Sequence, residues 1–253
     1  MPSRDDSRGH SDEAEIDDHA SRIRDNALLL AIYRDAYARL VAEIPAERFP
    51  RLLELGSGGG FFKEHAPHAM TSDCEHTPRV DRVVDACALE RSFEPESLDA
   101  IAAFNVFHHL PDVGAFLAGA SRVLRPGGRV ALVEPWFTPV GQWFYRALHY
   151  EPWVADPSDW TLRGQGRLAG ANSRLPTSVF RDSDARFAER YPSLRIVKRE
   201  PFHKWLYLAS GGLALNTRIP RRIAERLVAL DRRVRTGDAT TGLFATIVVE
   251  RAF

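Results

Sequence analysis

Apolar residues between Ser21 and Ile44 recur at helical spacing: Ile23, Leu28, Leu29, Ile32, Tyr33, Tyr37, Leu40, Val41 and Ile44. The run stops at Pro45 and predicts one amphipathic helix. Residues 1–20 are polar, charged and aperiodic, which predicts a disordered tail. From Pro50 onward short apolar runs alternate with helical spacing. Arg51–Leu55, Ala69–Asp73, Arg82–Asp85 and Leu98–Asn105 read as four strands. Val113, Phe116, Leu117, Ala120 and Leu124 mark a helix, the turn Arg125-Pro126-Gly127-Gly128 closes it, and Arg129–Glu134 is a fifth strand. The stretch from Pro135 to Pro192 is rich in Trp, Pro and Gly and too long for a simple connection. Within it, Gly141–Tyr150 and Ser183–Arg190 read as helices. Leu194–Glu200 and Leu243–Arg251 read as the last two strands. Between them Ile219–Arg235 places Ile223, Leu227, Leu230 and Val234 on one helical face, which predicts a core-packed stripe. Strands alternating with helices predict an α/β fold with a mostly parallel sheet.

Composition narrows the function classes. Hydrophobic residues make up 44% and charged residues 27% of 253, enough for a sizeable core. Lys+Arg and Asp+Glu both number 34, so no global field points to nucleic acid. Charge is uneven locally: residues 1–20 hold seven acids against two arginines, and Arg218–Arg235 holds seven arginines against two acids. The second segment is basic and amphipathic, which raises peripheral membrane contact as a sharper reading than a solvated face. The opposite charges also suggest that the acidic tail lies over the basic helix. With only Cys74 and Cys87, no disulfide framework or metal-ligand spacing emerges. The opening residues carry no apolar signal segment, and a cytoplasmic location is the expectation.

The chemistry concentrates in Glu54-Leu55-Gly56-Ser57-Gly58-Gly59-Gly60, directly after the first strand. Glycines there let the backbone turn sharply and approach a ligand with no Cβ in the way. A dinucleotide fingerprint begun at Gly56 and Gly58 requires Gly or Ala at 61, where Phe61 stands. A phosphate-binding loop requires Gly-Lys-Ser/Thr, which is absent.

This segment resembles the first motif of the class I S-adenosylmethionine (SAM)-dependent methyltransferases: an acid, then glycines at alternate positions, matched by Glu54, Gly56, Gly58 and Gly60. The resemblance continues for about eighty residues, through Asp73, through Asp85-Ala86, through Ser97-Leu98-Asp99-Ala100-Ile101, through Asn105 to Asp112, and through Val123 to Arg129. It implies a Rossmann-like, seven-stranded, mostly parallel sheet with helices on both faces, an N-terminal helix and a helical, aromatic cap. It implies one domain over residues 21–253, with substrate-covering insertions at 136–192 and 203–240. It implies SAM as cofactor, held by Glu54, Gly56, Ser57, Gly58, Gly60, Asp73, Asp85, Ala86 and Asn105. Asp73 falls where the family places the acid for the ribose hydroxyls. The short Cys74–Asp81 link, with Pro78 inside it, leaves Glu75 as the alternative.

Methyl transfer to a small organic acceptor is the leading expectation, with oxygen favoured because histidines are at hand and no extra acidic pocket for an amine is evident. His109 is the candidate base; His108, His149 and His203 are weaker ones. Positioning can supply roughly 7–11 kcal/mol, against about 3–5 kcal/mol from a general base. The alternatives are a SAM-binding enzyme catalysing cyclisation or decarboxylation, an NAD-dependent reductase and a non-catalytic partner protein. The expected partner is a small molecule, with no nucleic acid and no metal; the oligomeric state is left open.

Overall fold

The computed structural model describes residues 6–140, 142–143, 160–162, 170–202, 206–210, 219–233 and 238–252. Seven strands form one sheet in the order β3-β2-β1-β4-β5-β7-β6. They are β1 (Leu52–Leu55), β2 (Met70–Asp73), β3 (Arg82–Val83), β4 (Leu98–Phe104), β5 (Leu124–Pro135), β6 (Leu194–Phe202) and β7 (Phe244–Arg251). The first five run parallel, and β7 is antiparallel to both β5 and β6. This is the Rossmann-like, mostly parallel sheet expected from the alternating pattern. The central strands are apolar on both faces, as a sheet covered on two sides requires. Leu53, Leu55, Ile101 and Ala103 face one core with helix α3 (Val113–Val123). Leu52, Ala100 and Ala102 face the other core with helix α2 (Ala27–Glu43).

The predicted helix Ser21–Ile44 is two helices. Asn26 breaks the run: it N-caps α2 by accepting from the Leu29 N–H at 3.1 Å, and its amide donates to the Ser210 carbonyl at 2.9 Å. Before it lies α1 (Asp6–Asp25), so the expectation of a disordered tail over 1–20 is corrected from Asp6 onward. The physical reason is a narrow apolar stripe. Ile16, Ala20 and Ile23 fall one turn apart and are all buried. The idea that this segment lies over the basic helix is corrected too. Asp17 pairs with Arg79 at 2.8 Å, and a Cβ on Gly59 would sit 2.8 Å from the Ala20 nitrogen. Helix α1 therefore packs on the glycine loop.

Helix α4 (Asp184–Arg190) and helix α5 (Arg221–Arg233) follow the expected positions, but α5 turns a different face inward. Ala224 and Val228 pack on Leu28, Ala31 and Ile32 of α2, while Ile223 and Leu230 are exposed. Small residues let the two helices approach closely; the larger stripe stays outside. Of the aromatic cap, Trp136, Phe137 and Trp160 are buried core residues and Trp143 is exposed. The expected helix Gly141–Tyr150 lies largely outside the described residues, as do Phe144, Tyr145, Tyr150 and Trp153.

Asp99 ties the amino-terminal edge of the sheet together. Its carboxylate accepts from the Arg51 N–H at 2.8 Å, from the Arg51 guanidinium at 2.9 Å and from Arg125 Nε at 2.6 Å. Burial pushes Asp99 upward, but these bonds outweigh it and hold the carboxyl at about 2. A depressed folded value stabilises the protein above the unfolded value of about 3.9 and is lost as pH falls toward 2. Replacing Asp99 with Ala leaves the part-buried Arg51 N–H and the Arg51 and Arg125 guanidiniums without this acceptor and should cost about 1–3 kcal/mol at pH 7. The gap to wild type should narrow below pH 4 in denaturant melts.

Candidate functional site

The carboxyl ends of β1, β2 and β4 lie side by side: Glu54 is level with Thr71 of β2 and Ala102 of β4. Ligands of open parallel sheets bind at this edge. The glycine loop leaves β1 there. Gly56 (φ +65°) and Gly58 (φ +48°) take left-handed backbone conformations. A Cβ on Gly56 would meet Val106 Cγ2 at 2.4 Å, so this loop abuts the one after β4. The Ser57 N–H donates to the Ser72 carbonyl at 2.9 Å, and the Ser57 hydroxyl to Glu54 Oε2 at 2.6 Å. Asp73 ends β2 with both oxygens on backbone donors: Gly58 N–H at 3.0 Å and Cys74 N–H at 2.8 Å. Asp73 is thereby bonded to the glycine loop itself, whereas half-buried Glu75 stands two residues beyond the strand.

Burial pushes the Glu54 carboxyl up to about 8; the Ser57 bond opposes this, the Asp73 charge adds to it, and Lys63 opposes it. The unfolded chain then releases this proton before the folded chain does. Stability from this group therefore falls as pH rises from about 4.3 to about 8. The stability of wild type relative to Glu54→Gln should decline across that window in thermal melts. Parallel profiles for the two proteins would remove this role from Glu54.

The loop after β4 is organised by a residue that sequence reasoning missed. Glu134, fully buried near the end of β5, accepts from the Val106 and Phe107 N–H groups, each at 2.8 Å, through one oxygen. Its other oxygen lies 2.6 Å from His108 Nδ1. The available signal was a carboxylate closing the apolar run Val130–Val133, where an acid is kept only if fully bonded. Asn105 begins the loop at φ +56°, and its Oδ1 is sealed from solvent with no hydrogen-bond partner. His109 is half-buried, with Nδ1 3.3 Å from the Gly170 carbonyl. The Asn172 N–H donates to the His108 carbonyl at 2.9 Å, and Leu162 N–H to that of Pro111 at 2.8 Å. Segments from the long connection after β5 thus hold the histidine loop.

On the other side, α2 lays aromatic rings against the glycine loop. Tyr37 meets Phe61 edge-on with centroids 5.1 Å apart, and Tyr33 meets Phe104 at 4.7 Å. A Cβ on Gly60 would lie 2.3 Å from the Tyr37 hydroxyl. This cluster was not foreseen, because its tyrosines read simply as core-facing helix positions.

The structure therefore gathers Glu54, Gly56, Ser57, Gly58, Gly60, Asp73 and Asn105 at one edge. Asp85 is exposed and caps the short helical turn Ala86–Arg91 by accepting from the Cys87 N–H at 2.8 Å. Ala86 is buried at the start of that turn. Residues 74–81 form turns instead of a helix. His149 and His203 lie outside the described residues.

A family model for a methyltransferase domain matches residues 53–132. The 27-O-demethylrifamycin SV methyltransferase of Amycolatopsis mediterranei is 32% identical over a match covering 37% of this chain and 42% of that one. A highly reducing polyketide synthase of Gibberella zeae is 46% identical over 48 residues, 19% of this chain and 2% of that one. The chain thus spans less than half the length of these curated relatives. Among solved structures, a SAM-dependent methyltransferase from Archaeoglobus fulgidus has a TM-score of 0.50 at 15% identity, with 87% of this chain and 94% of that chain covered. That likeness concerns the fold.

Proposed function

Because this chain belongs to the class I SAM-dependent methyltransferase family, we propose that it moves a methyl group from SAM to a small organic acceptor, at an oxygen atom. The observation that carries the reading is the glycine loop at the carboxyl end of β1, with Gly56 and Gly58 in left-handed conformations and the Gly58 N–H bonded to the Asp73 carboxylate at the end of β2. Asp73 suits the ribose: its carboxylate ends β2 beside the glycine loop, bonded to the Gly58 N–H, and a carboxylate accepts strongly from hydroxyls. The aromatic faces of Tyr33 and Phe104 suit a nearby cation. SAM, when bound, supplies a sulfonium methyl open to in-line displacement by the acceptor.

The chain's own contribution is chiefly geometric. Glu134 fixes the histidine loop, Asp73 and Ser57 fix the glycine loop, and together they hold the partners for attack. His109 then manages a proton. A carbonyl only accepts, so the bond toward Gly170 places the ring proton on Nδ1 and leaves Nε2 the basic nitrogen. Oxygen is favoured because removal of a hydroxyl proton is a step that a histidine can assist. The rifamycin relative, named for an O-demethylated substrate, also supports an oxygen acceptor.

Incubation with SAM and a panel of hydroxylated organic compounds tests the reading by mass. Methyl transfer adds one CH2 to the acceptor and releases S-adenosylhomocysteine; products of unchanged mass would instead favour rearrangement. His109→Ala should lower turnover by about 10²–10⁴-fold with cofactor affinity retained. A loss below about tenfold would leave His109 only a positioning role.

A further inference from the structure

Helix α5 shows solvent a ridge of large apolar side chains. Ile223 is 49% exposed and Leu230 57% exposed, and half-buried Leu227 lies between them one turn from each. The spacing puts all three on one face. Arg222, Arg226 and Arg233 are exposed and fall on the adjoining face, one flank of the ridge. The acids of this helix are turned elsewhere. Glu225 pairs with Arg221 at 2.8 Å, and Asp231 is half-buried. The orientation is fixed by Ala224 and Val228 against α2 and by Arg232 Nε, 3.0 Å from the buried Asp35 carboxylate. The ridge is therefore held outward by packing on the neighbouring face, about a quarter to a third of a turn around the helix.

We propose that this face docks on an anionic lipid bilayer. Ile223, Leu227 and Leu230 enter the boundary between headgroups and acyl chains, and Arg222, Arg226 and Arg233 lie at the level of the lipid phosphates. Arginine suits that position because its apolar stem stays beside the ridge while its fork bonds phosphate. Thirteen helical residues span about 20 Å, and one face of them offers roughly 200–300 Å². A stable protein partner needs about 800 Å² from each side. A bilayer needs no matching shape, and its attraction adds residue by residue. Each arginine near an anionic leaflet strengthens binding roughly fivefold, so three together give about a hundredfold.

Flotation of the full chain with phosphatidylcholine vesicles, with and without about 30% phosphatidylserine, tests the proposal. Wild type should float with the anionic vesicles at low salt and stay behind with neutral ones, and should release near 0.5 M salt or so. R222Q/R226Q/R233Q should lower partitioning about a hundredfold. I223S/L230S should lower it at least tenfold while keeping the salt dependence. Circular-dichroism melts of both variants should match wild type, because the altered side chains face solvent. Wild type that fails to float, floats equally with neutral vesicles, or floats no better than the arginine variant would overturn the proposal. A dimer in sedimentation equilibrium that L230S dissociates, with no flotation, would assign the face to a second copy of the chain.

Discussion

Replacing Glu134 with alanine should abolish measurable SAM binding and cost about 3–5 kcal/mol of folding stability. The Glu134 carboxylate holds three donors or donor-capable atoms in the dry interior: the Val106 and Phe107 N–H groups and His108 Nδ1. Truncation strands both N–H groups, each at about 1–3 kcal/mol, and opens a cavity besides. The total approaches the 5–15 kcal/mol stability of a typical domain, so calorimetry belongs at low temperature. Glu134→Gln separates loop order from charge. Its amide oxygen replaces the acceptor for Val106 and Phe107. Its NH2 then faces His108 Nδ1, which must accept and so moves the ring proton to Nε2. Glu134→Gln should recover most of the stability, and turnover should show a displaced pH profile. Wild-type SAM affinity in the alanine variant would mean that the β4 loop keeps its shape without this carboxylate.

Gly58→Val should weaken SAM binding by at least a hundredfold while lowering stability by only about 1–2 kcal/mol. The smaller number follows from the backbone: Gly58 has φ +48°, where a side chain costs about that much. The larger follows from function. Gly58 N–H anchors Asp73, so strain there shifts the carboxylate proposed to take the ribose, and the added Cβ should block ligand approach. Gly58→Asn is the control, because asparagine tolerates the left-handed region and adds less bulk at Cβ. It should melt closer to wild type and retain intermediate affinity. If Gly58→Val loses stability and affinity in proportion, the glycine serves only the fold.

The sheet was legible because buried parallel strands are apolar runs, and Leu52–Leu55 and Leu98–Phe104 are such runs between glycines and polar turns. The glycine loop was legible because its backbone requirements admit few residue types. Other features escaped for identifiable reasons. The break at Asn26 was hidden because apolar residues stand on both sides of it, although asparagine is a strong N-cap. Helix α1 was hidden because its stripe is only one residue wide within an acidic sequence. In α5 the eye follows Ile223 and Leu230, but close helix packing selects Ala224 and Val228. Asp99 carries no visible pattern, and Glu134 only its place closing an apolar run. Their roles depend on donors that arrive from elsewhere in the chain, which only the fold brings together.

Strand β7 lies between β5 and β6, though it follows both in sequence. During synthesis the free edge of β5 must therefore wait until more than a hundred further residues have been made before Phe244–Arg251 can pair with it. At about 5–20 residues per second the delay is on the order of 5–20 s. Through that interval the ribosome-bound chain exposes an apolar strand edge, a template for intermolecular pairing. Nascent chains stalled before β7 should recruit chaperones and aggregate on release, whereas chains stalled beyond Arg251 should resist protease.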